Sequence, residues 1–332
     1  MVTRRALSGL LPASLGVSSL ALPGLALHAN AQAAEYPSRS IRMVVGFAAG
    51  GGTDLTARTM QPKLGEALGV SIVVENRPGA GGNLATELVT RAPADGYTLL
   101  MGSIGALAIN PTIYDSLTFN PQTDLTPITL SGSILNVLVV PADRPWRTAA
   151  DLIAAAKARP DTLTYGSSGV GSAGHLGGAL LDQMADIKTV HVPYRGGGPL
   201  MTDLMGGKID FAFSTAPTAV PQIEGGLLRA LAVPTAVRSQ LLPNVPTVAE
   251  TLPGYEVGNW YAVLGPRGLP APIVERLNRI IRGTLRDATV VSHLGRHGVD
   301  PVTSTPDELA KFIRDETVKW APIVRSSRAS AN

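Results

Sequence analysis

The chain has 332 residues, 45% of them hydrophobic and 16% charged, with 36 glycines and 26 prolines. This is the make-up of a folded, loop-punctuated protein of about two domains, and it excludes disordered, collagenous and coiled-coil classes. A net charge of +3, with no run of more than two basic residues, argues against nucleic acid as a partner. The absence of cysteine removes disulfides, thiolate metal sites, a cysteine nucleophile and a thioether-linked lipid anchor.

Residues 1–33 read as an export signal. After Arg4 and Arg5 no charged residue appears until Glu35, and the stretch from Ala6 to Leu27 is rich in Leu, Ala, Gly and Ser. Pro12, Gly16, Pro23 and Gly24 interrupt it, and Ala31-Gln32-Ala33 supplies a small-x-small cleavage site, so cleavage is expected rather than a retained membrane helix. The start Thr3-Arg4-Arg5-Ala6-Leu7 resembles a twin-arginine signal; an ordinary secretory signal carrying two arginines fits almost as well.

The remainder alternates strand-like and helix-like stretches. Ile41 to Phe47 is an apolar strand, followed by a glycine-rich turn and a helix from Thr53 to Leu68. A strand from Ser71 to Glu75, a second glycine loop at Arg77 to Gly82, a helix near Leu84 to Arg91 and a strand from Tyr97 to Gly102 complete a βαβαβ set. Strands this apolar, separated by helices, predict a mainly parallel sheet covered on both faces. The passage from Thr126 to Val140 is β-rich without a helix and is expected to cross between two lobes. The pattern then restarts: helix 148–158, strand 163–167, helix 175–185, strand 189–193, helix 199–205 and strand 209–213. Strands at 228–233 and 257–265 and helices at 271–286 and 306–324 finish the chain. The expected organisation is lobe 1 from residues 34–135 plus 254–332 and lobe 2 from residues 136–253.

Ligands of open parallel sheets sit beyond the carboxyl ends of the strands, where helix N-termini present unpaired N–H groups and a positive dipole end. Two loops have that character. One is Phe47-Ala48-Ala49-Gly50-Gly51-Gly52-Thr53-Asp54; the other runs from Tyr165 through Ser167, Ser168, Gly169, Gly171 and Ser172 to His175. Neither contains Lys or Arg, so backbone N–H groups and hydroxyls are the expected carboxylate donors. Asp54 falls in the first helical turn, where an acid complements the dipole.

Near matches to enzyme motifs fail on detail. Gly169-Val170-Gly171-Ser172-Ala173-Gly174 satisfies G-x-G-x-x-G but lacks the acid about 20 residues on that a dinucleotide ribose requires. No P-loop sequence is present. Val170-Gly171-Ser172-Ala173-Gly174 misses the nucleophile elbow by its first glycine, and His293 with His297 has no accompanying H-E-x-x-H carboxylate. No catalytic residue, metal site or cofactor is therefore predicted.

The motifs in order, Val74-Glu75-Asn76-Arg77-Pro78-Gly79-Ala80-Gly81-Gly82, Asp95-Gly96-Tyr97-Thr98-Leu99, Val192-Pro193-Tyr194-Arg195-Gly196 and Val245-Pro246-Thr247-Val248-Ala249-Glu250 among them, resemble the substrate-binding proteins of tripartite tricarboxylate transporters, the Bug receptors, over nearly the whole exported chain. The resemblance implies an α/β, two-lobed periplasmic-binding-protein architecture, type II-like, with the ligand in the interlobe cleft. It also implies a soluble, monomeric periplasmic receptor that captures a small organic carboxylate and delivers it to membrane permease subunits, without enzymatic activity. Carried over by position, the ligand-binding residues are Phe47, Gly50, Gly51, Gly52, Asp54, Ser167, Ser168, Gly171, Ser172, His175, Tyr194 and Ser214, with Trp260 another aromatic near the cleft. Gly51 and Gly171 are the positions where a valine is expected to abolish binding. Two departures stand out: Gly46 where relatives carry proline, and Ser214 where many carry an acid that would meet an ammonium group. The competing readings are a secreted α/β enzyme acting on a small carboxylate and a ligand-presenting partner of a sensor kinase.

Overall fold

The computed structural model describes residues 36–326; the export signal and its cleavage site lie outside the described residues. Two sheets organise the chain. The first opens with β1 (Ile41–Val45), whose apolar run is buried except at Arg42. It is followed by α1 (Gly52–Leu68), which ends where Gly69 turns left-handed at φ 73° and returns its N–H to the carbonyls of Gly65 and Glu66, the geometry glycine adopts at least cost. Strand β2 (Ile72–Asn76), helix α2 (Asn83–Thr90) and strand β3 (Thr98–Ser103) follow, and both outer strands pair parallel with β1.

Beyond β3 a π-helical turn (Gly105–Ile109) runs into the short α3 (Asn110–Ile113). The chain then crosses. Strand β4 (Leu125–Ile134) belongs to the first sheet and β5 (Asn136–Pro141) to the second, with Leu135 alone between them. Helix α4 (Ala149–Ala158) begins on a capping box in which Thr148 and Asp151 each satisfy the other's backbone N–H, the arrangement that fixes a helix start. The second sheet is built from β6 (Thr164–Ser167), α5 (Ala173–Ala185), β7 (Val190–Pro193), α6 (Gly197–Met205), β8 (Phe211–Thr215), α7 (Ala216–Glu224) and β9 (Leu228–Ala232). Strand β10 (Trp260–Pro266) returns to the first sheet, and α8 (Ala271–Thr284), α9 (Ala288–Arg296), β11 (Val299–Asp300) and α10 (Pro306–Ser326) complete the fold.

The strand orders are β11-β4-β10-β3-β1-β2 and β7-β6-β8-β5-β9. The two-sheet α/β architecture expected from the sequence is present, and each sheet is mixed. β1, β2 and β3 are parallel, as are β6, β7 and β8, whereas β10 runs antiparallel to β3 and β4 and β5 runs antiparallel to β8 and β9. The reason is connectivity: β5 and β10 enter their sheets directly from the other one, without the helical crossover that a parallel neighbour requires.

The two crossing segments meet. Ile134 donates its N–H to Asn259 O at 3.0 Å, and Asn259 Nδ2 donates to Asn136 Oδ1 at 3.0 Å. Four elements are absent from the sequence reading: α7, where Pro217 sits in the first turn and Pro221 inside the helix; α9, capped by Asp287 through the N–H groups of Thr289 and Val290; the two-residue β11; and the segment 105–113. Trp320 of α10, Phe211 of β8 and Tyr255 rank among the largest fully buried side chains. Among the described residues no helix is long and apolar enough to cross a membrane.

Candidate functional site

The carboxyl ends of the parallel strands of both sheets open on one cavity. From the first sheet it is lined by Phe47, Gly51, Gly52 and Thr53 after β1, by Ser103, Ile104 and Gly105 after β3, and by Asn259 and Tyr261 at β10. The second sheet supplies Asn136, Ser168, Ser172, Ala173, Gly174, Gly197, Phe213 and Thr215. The space between them is about 450 Å³ with its open mouth included. Among the described residues no Asp, Glu, Lys, Arg or His lines it.

Three helices start at this cavity: α1 at Gly52, α5 at Ala173 and α6 at Gly197. The N–H groups of a first helical turn have no carbonyl partner within the helix, and the dipole places partial positive charge there. The cavity thus carries positive potential from backbone alone, a setting for an anion's oxygens. Glycine lets the two sides approach. A Cβ at Gly52 would lie 3.0 Å from Thr215 Oγ1, across the gap between the sheets, and 2.8 Å from the Tyr261 hydroxyl of its own sheet. At the mouth, Ala48 N–H donates to Arg195 O at 2.9 Å, and a Cβ on Gly196 would fall 2.9 Å from Ala48 N.

Of the residues expected from sequence, Phe47, Gly51, Gly52, Ser168 and Ser172 line this cavity. The others do not, and each has a structural occupation instead. Gly50 is left-handed at φ 81° and donates its N–H to Asp54 Oδ2 at 2.9 Å. Asp54 faces its own loop: its carboxylate also accepts from Arg58 Nε and Asn76 Nδ2, each at 2.9 Å. Burial opposes that charge, but the Arg58 guanidinium, the Gly50 N–H and the Asn76 amide outweigh it and hold the carboxyl below its usual range. Asn76 Nδ2 in turn donates to Phe47 O at 2.9 Å, so this network fixes the ring at the cavity wall.

In the second loop Ser167 is fully buried. Its hydroxyl bonds Gly169 O at 3.0 Å and meets His191 Nε2 at 2.7 Å. The Gly171 N–H, expected to hold a ligand oxygen, is given to His175 Nδ1 at 3.1 Å. Gly171 is left-handed at φ 80°, and a Cβ there would lie 1.6 Å from Asn110 Oδ1; its need for glycine comes from contact with the 105–113 segment. His175 is buried and stacks on His191 with ring centroids 4.1 Å apart. Burial pushes His175 down to about 4, and burial together with His175 pushes His191 down to about 3. Both are therefore neutral at physiological pH, and His175 acts as an acceptor.

Tyr194 lines an adjoining groove with Arg195, Pro78 and Leu84, which shares Phe47 and Ser168 with the cavity. Its hydroxyl donates to Asp203 at 2.9 Å, and burial together with that carboxylate pushes it up to about 12. Ser214 is buried with its hydroxyl 2.9 Å from Thr218 Oγ1, because Phe213 and Thr215, the alternate residues of β8, take the cavity-facing positions. The same alternation corrects Trp260. Its indole N–H donates to Glu316 at 2.8 Å on the far side, whereas Tyr261 lines the cavity, as successive strand residues point to opposite faces. Gly46, where a Cβ would lie 2.8 Å from Gly82 Cα, packs against the second glycine loop.

Sequence reasoning missed Thr53, Ser103, Asn136, Gly197, Thr215, Asn259 and Tyr261. The Gly196-Gly197-Gly198 run is the same signal that marked the other two loops and opens a third helix here. The remaining polar residues sit within strands or at their ends, where nothing local distinguishes them.

Residues 56–328 match the family described as "Tripartite tricarboxylate transporter family receptor". The chain belongs to this family. The receptor is 36% identical to protein BugT of Bordetella pertussis over 317 residues, covering 95% of this chain and 97% of that one. Among solved structures it resembles Rpa4515 of R. palustris with adipate, at 36% identity and TM-score 0.87 over 89% of this chain and 99% of that one. It also resembles MatC of Rhodopseudomonas palustris with bound malate, at 31% identity and TM-score 0.84 over 87% of this chain and 100% of that one. At these TM-scores the two solved structures share the two-sheet fold of this chain.

Proposed function

We propose that this receptor works in the periplasm, binding a small organic carboxylate between its two sheets and delivering it to the membrane permease subunits of a tripartite transporter. The observation that carries this reading is the cavity: three helix N-termini converge on a space lined by neutral groups, with no charged side chain to act on a substrate. Relatives crystallised with adipate and malate support a carboxylate as the ligand class. In this reading the first carboxylate sits against the N–H groups opening α1, α5 and α6, with Gly51, Gly52, Ser168 and Ser172 at its edge and Phe47 as a wall. Lobe 1 comprises residues 34–135 plus 254–332, lobe 2 residues 136–253, and the chain acts as an exported monomer after loss of residues 1–33. Burying a full charge costs heavily unless donors meet it, and charge-assisted bonds to backbone N–H groups offset that cost.

The test is a thermal-shift panel of mono-, di- and tricarboxylates and aromatic acids, with turnover followed in parallel. A ligand at about 100 times its Kd adds roughly 2.7 kcal/mol to the folded state, which corresponds to about 4 °C for a chain of this size. Shifts from a few acids without product are expected. Product formation from any acid would instead establish an enzyme, and an intact mass retaining Arg4 and Arg5 in periplasmic protein would overturn export with cleavage.

A further inference from the structure

Ser103 closes β3, and its antiparallel partner on β10 is Tyr261. Directly opposed residues on neighbouring strands share a face of the sheet, and both line the cavity. Most of the buried hydroxyls and amides lining the cavity have partners. The Tyr261 hydroxyl is hydrogen-bonded by Thr53 and Asn259, Asn259 Nδ2 by Asn136 Oδ1, Thr215 Oγ1 by Thr218, and Ser172 Oγ by the N–H of His175. Ser103 differs. It is 5% exposed, and its Oγ is fully buried with no hydrogen-bond partner in the protein. Buried hydroxyls in folded proteins are nearly always satisfied, so an orphan in a binding cavity calls for a partner that comes from outside.

We propose that Ser103 Oγ hydrogen-bonds a hydroxyl group of the bound ligand, so that the receptor selects hydroxycarboxylates over their deoxy counterparts. The inference rests on the carboxylate-receptor reading and narrows its substrate class. Charge decides between a hydroxyl and a second carboxylate at this position. The wall around Ser103 offers Tyr261, Asn259 and Asn136 but no cation, and an ionised oxygen held only by neutral side chains bears most of its desolvation cost. A hydroxyl bears far less and matches serine in both directions, each group able to donate once and accept. Ile104, Phe47 and Phe213 supply apolar surface for the carbon skeleton between the hydroxyl and the carboxylate at the helix openings. A site built to hydrogen-bond a ligand hydroxyl rejects the analogue lacking it, because the protein group is then left buried and unpaired.

The experiment is calorimetry on the exported protein with three matched pairs, succinate and malate, propionate and lactate, glutarate and 2-hydroxyglutarate, repeated for Ser103→Ala and Ser103→Thr. In at least one pair the native protein is expected to bind the hydroxylated acid about tenfold or more tightly. Ser103→Ala should erase that preference by weakening the hydroxylated acid alone, and Ser103→Thr should keep it. Removing an unpartnered hydroxyl takes no hydrogen bond from the unliganded fold, so Ser103→Ala should melt where the native protein does. Acids that bind without any preference for the hydroxylated member, or a Ser103→Ala variant that weakens both members of a pair equally, would overturn the assignment and leave the receptor reading standing. If none of the six acids binds and the wider panel is also silent, both fall together.

Discussion

Asp54 and Gly171 show how a residue can belong to a binding loop without touching what the loop binds. The Asp54 carboxylate gathers the Gly50 N–H, Arg58 and Asn76, and Asn76 passes the constraint to the Phe47 carbonyl. Asp54→Ala leaves those donors unmatched and should destabilise the fold by about 1–3 kcal/mol, the range for a buried group left unsatisfied, while weakening carboxylate binding through a loosened loop. Urea denaturation beside calorimetry checks this; lost affinity at unchanged stability would mean that Asp54 meets the ligand directly. Gly51 and Gly171, alike in sequence terms, also part company. Gly51 has φ −85°, and a Cβ there would meet only ordinary contacts at 3.5 Å from Ala48 O and Gly197 N, so Gly51→Ala should fold normally. Gly171 is left-handed and crowded by Asn110. What was legible in the sequence is that both loops are glycine-rich and lie beyond strand ends. Which N–H groups remain free was not, because His175 claims the Gly171 N–H through a return of the chain four residues later.

At the scale of elements, the segments that join the two sheets govern how the cavity opens. The crossings at Leu135 and at residues 233–259 are bonded through Asn136 and Asn259, and glycine contacts seal the opposite side. Gly105, in the π-helical turn after β3, has Gly171 O as its nearest neighbour from the second sheet: a Cβ would lie 2.8 Å from it. Its own backbone is not left-handed, so Gly105→Ala adds a methyl only where the two sides meet. If ligand capture closes the sides about the crossing strands, this variant should bind carboxylates about tenfold more weakly, and because the methyl overlaps a backbone oxygen that must shift to admit it, it should also melt somewhat below the native protein in the absence of ligand. Small-angle scattering should then show less compaction on ligand addition than in the native protein. Equal affinity would mean that the contact is not part of closure. The regular elements were readable from periodicity because their apolar runs are long. Helix α7 was not, since Pro217 and Pro221 look like loop signals even though proline in a first helical turn costs nothing, and neither was α9, whose nine residues follow α8 after a brief turn. The mixed sheets were hidden for a different reason: strand direction depends on which sheet the chain last left, and no local pattern records that.

For the molecule as a whole, the histidine stack behind the second loop predicts how stability follows pH. Tyr165, His191 and His175 are layered, with centroids 4.8 Å and 4.1 Å apart, and His175 and His191 are pushed down to about 4 and about 3 by burial. An unfolded chain takes up a proton on each near pH 6.5. Between that value and pH 4 the unfolded state therefore binds more protons than the folded one, and stability rises with pH and falls on acidification. Going from pH 7 to pH 5 should cost about 3–4 kcal/mol from the pair, at most about 1.4 kcal/mol per pH unit for each ring. His293, lowered by burial and by His297 and Arg296, adds in the same direction, whereas Asp182, raised by burial, opposes the trend. The depressed carboxylates of Asp54 and Glu250 enter as pH falls through the ordinary carboxylate range, so between pH 7 and pH 5 the histidine stack is the main contributor. Urea midpoints across that window should decline steadily for the native protein. His191→Gln, which keeps a polar group near Ser167 but does not titrate, should decline about half as steeply. A flat profile for the native protein, or equal slopes for both, would show that the stack is not what acid attacks first.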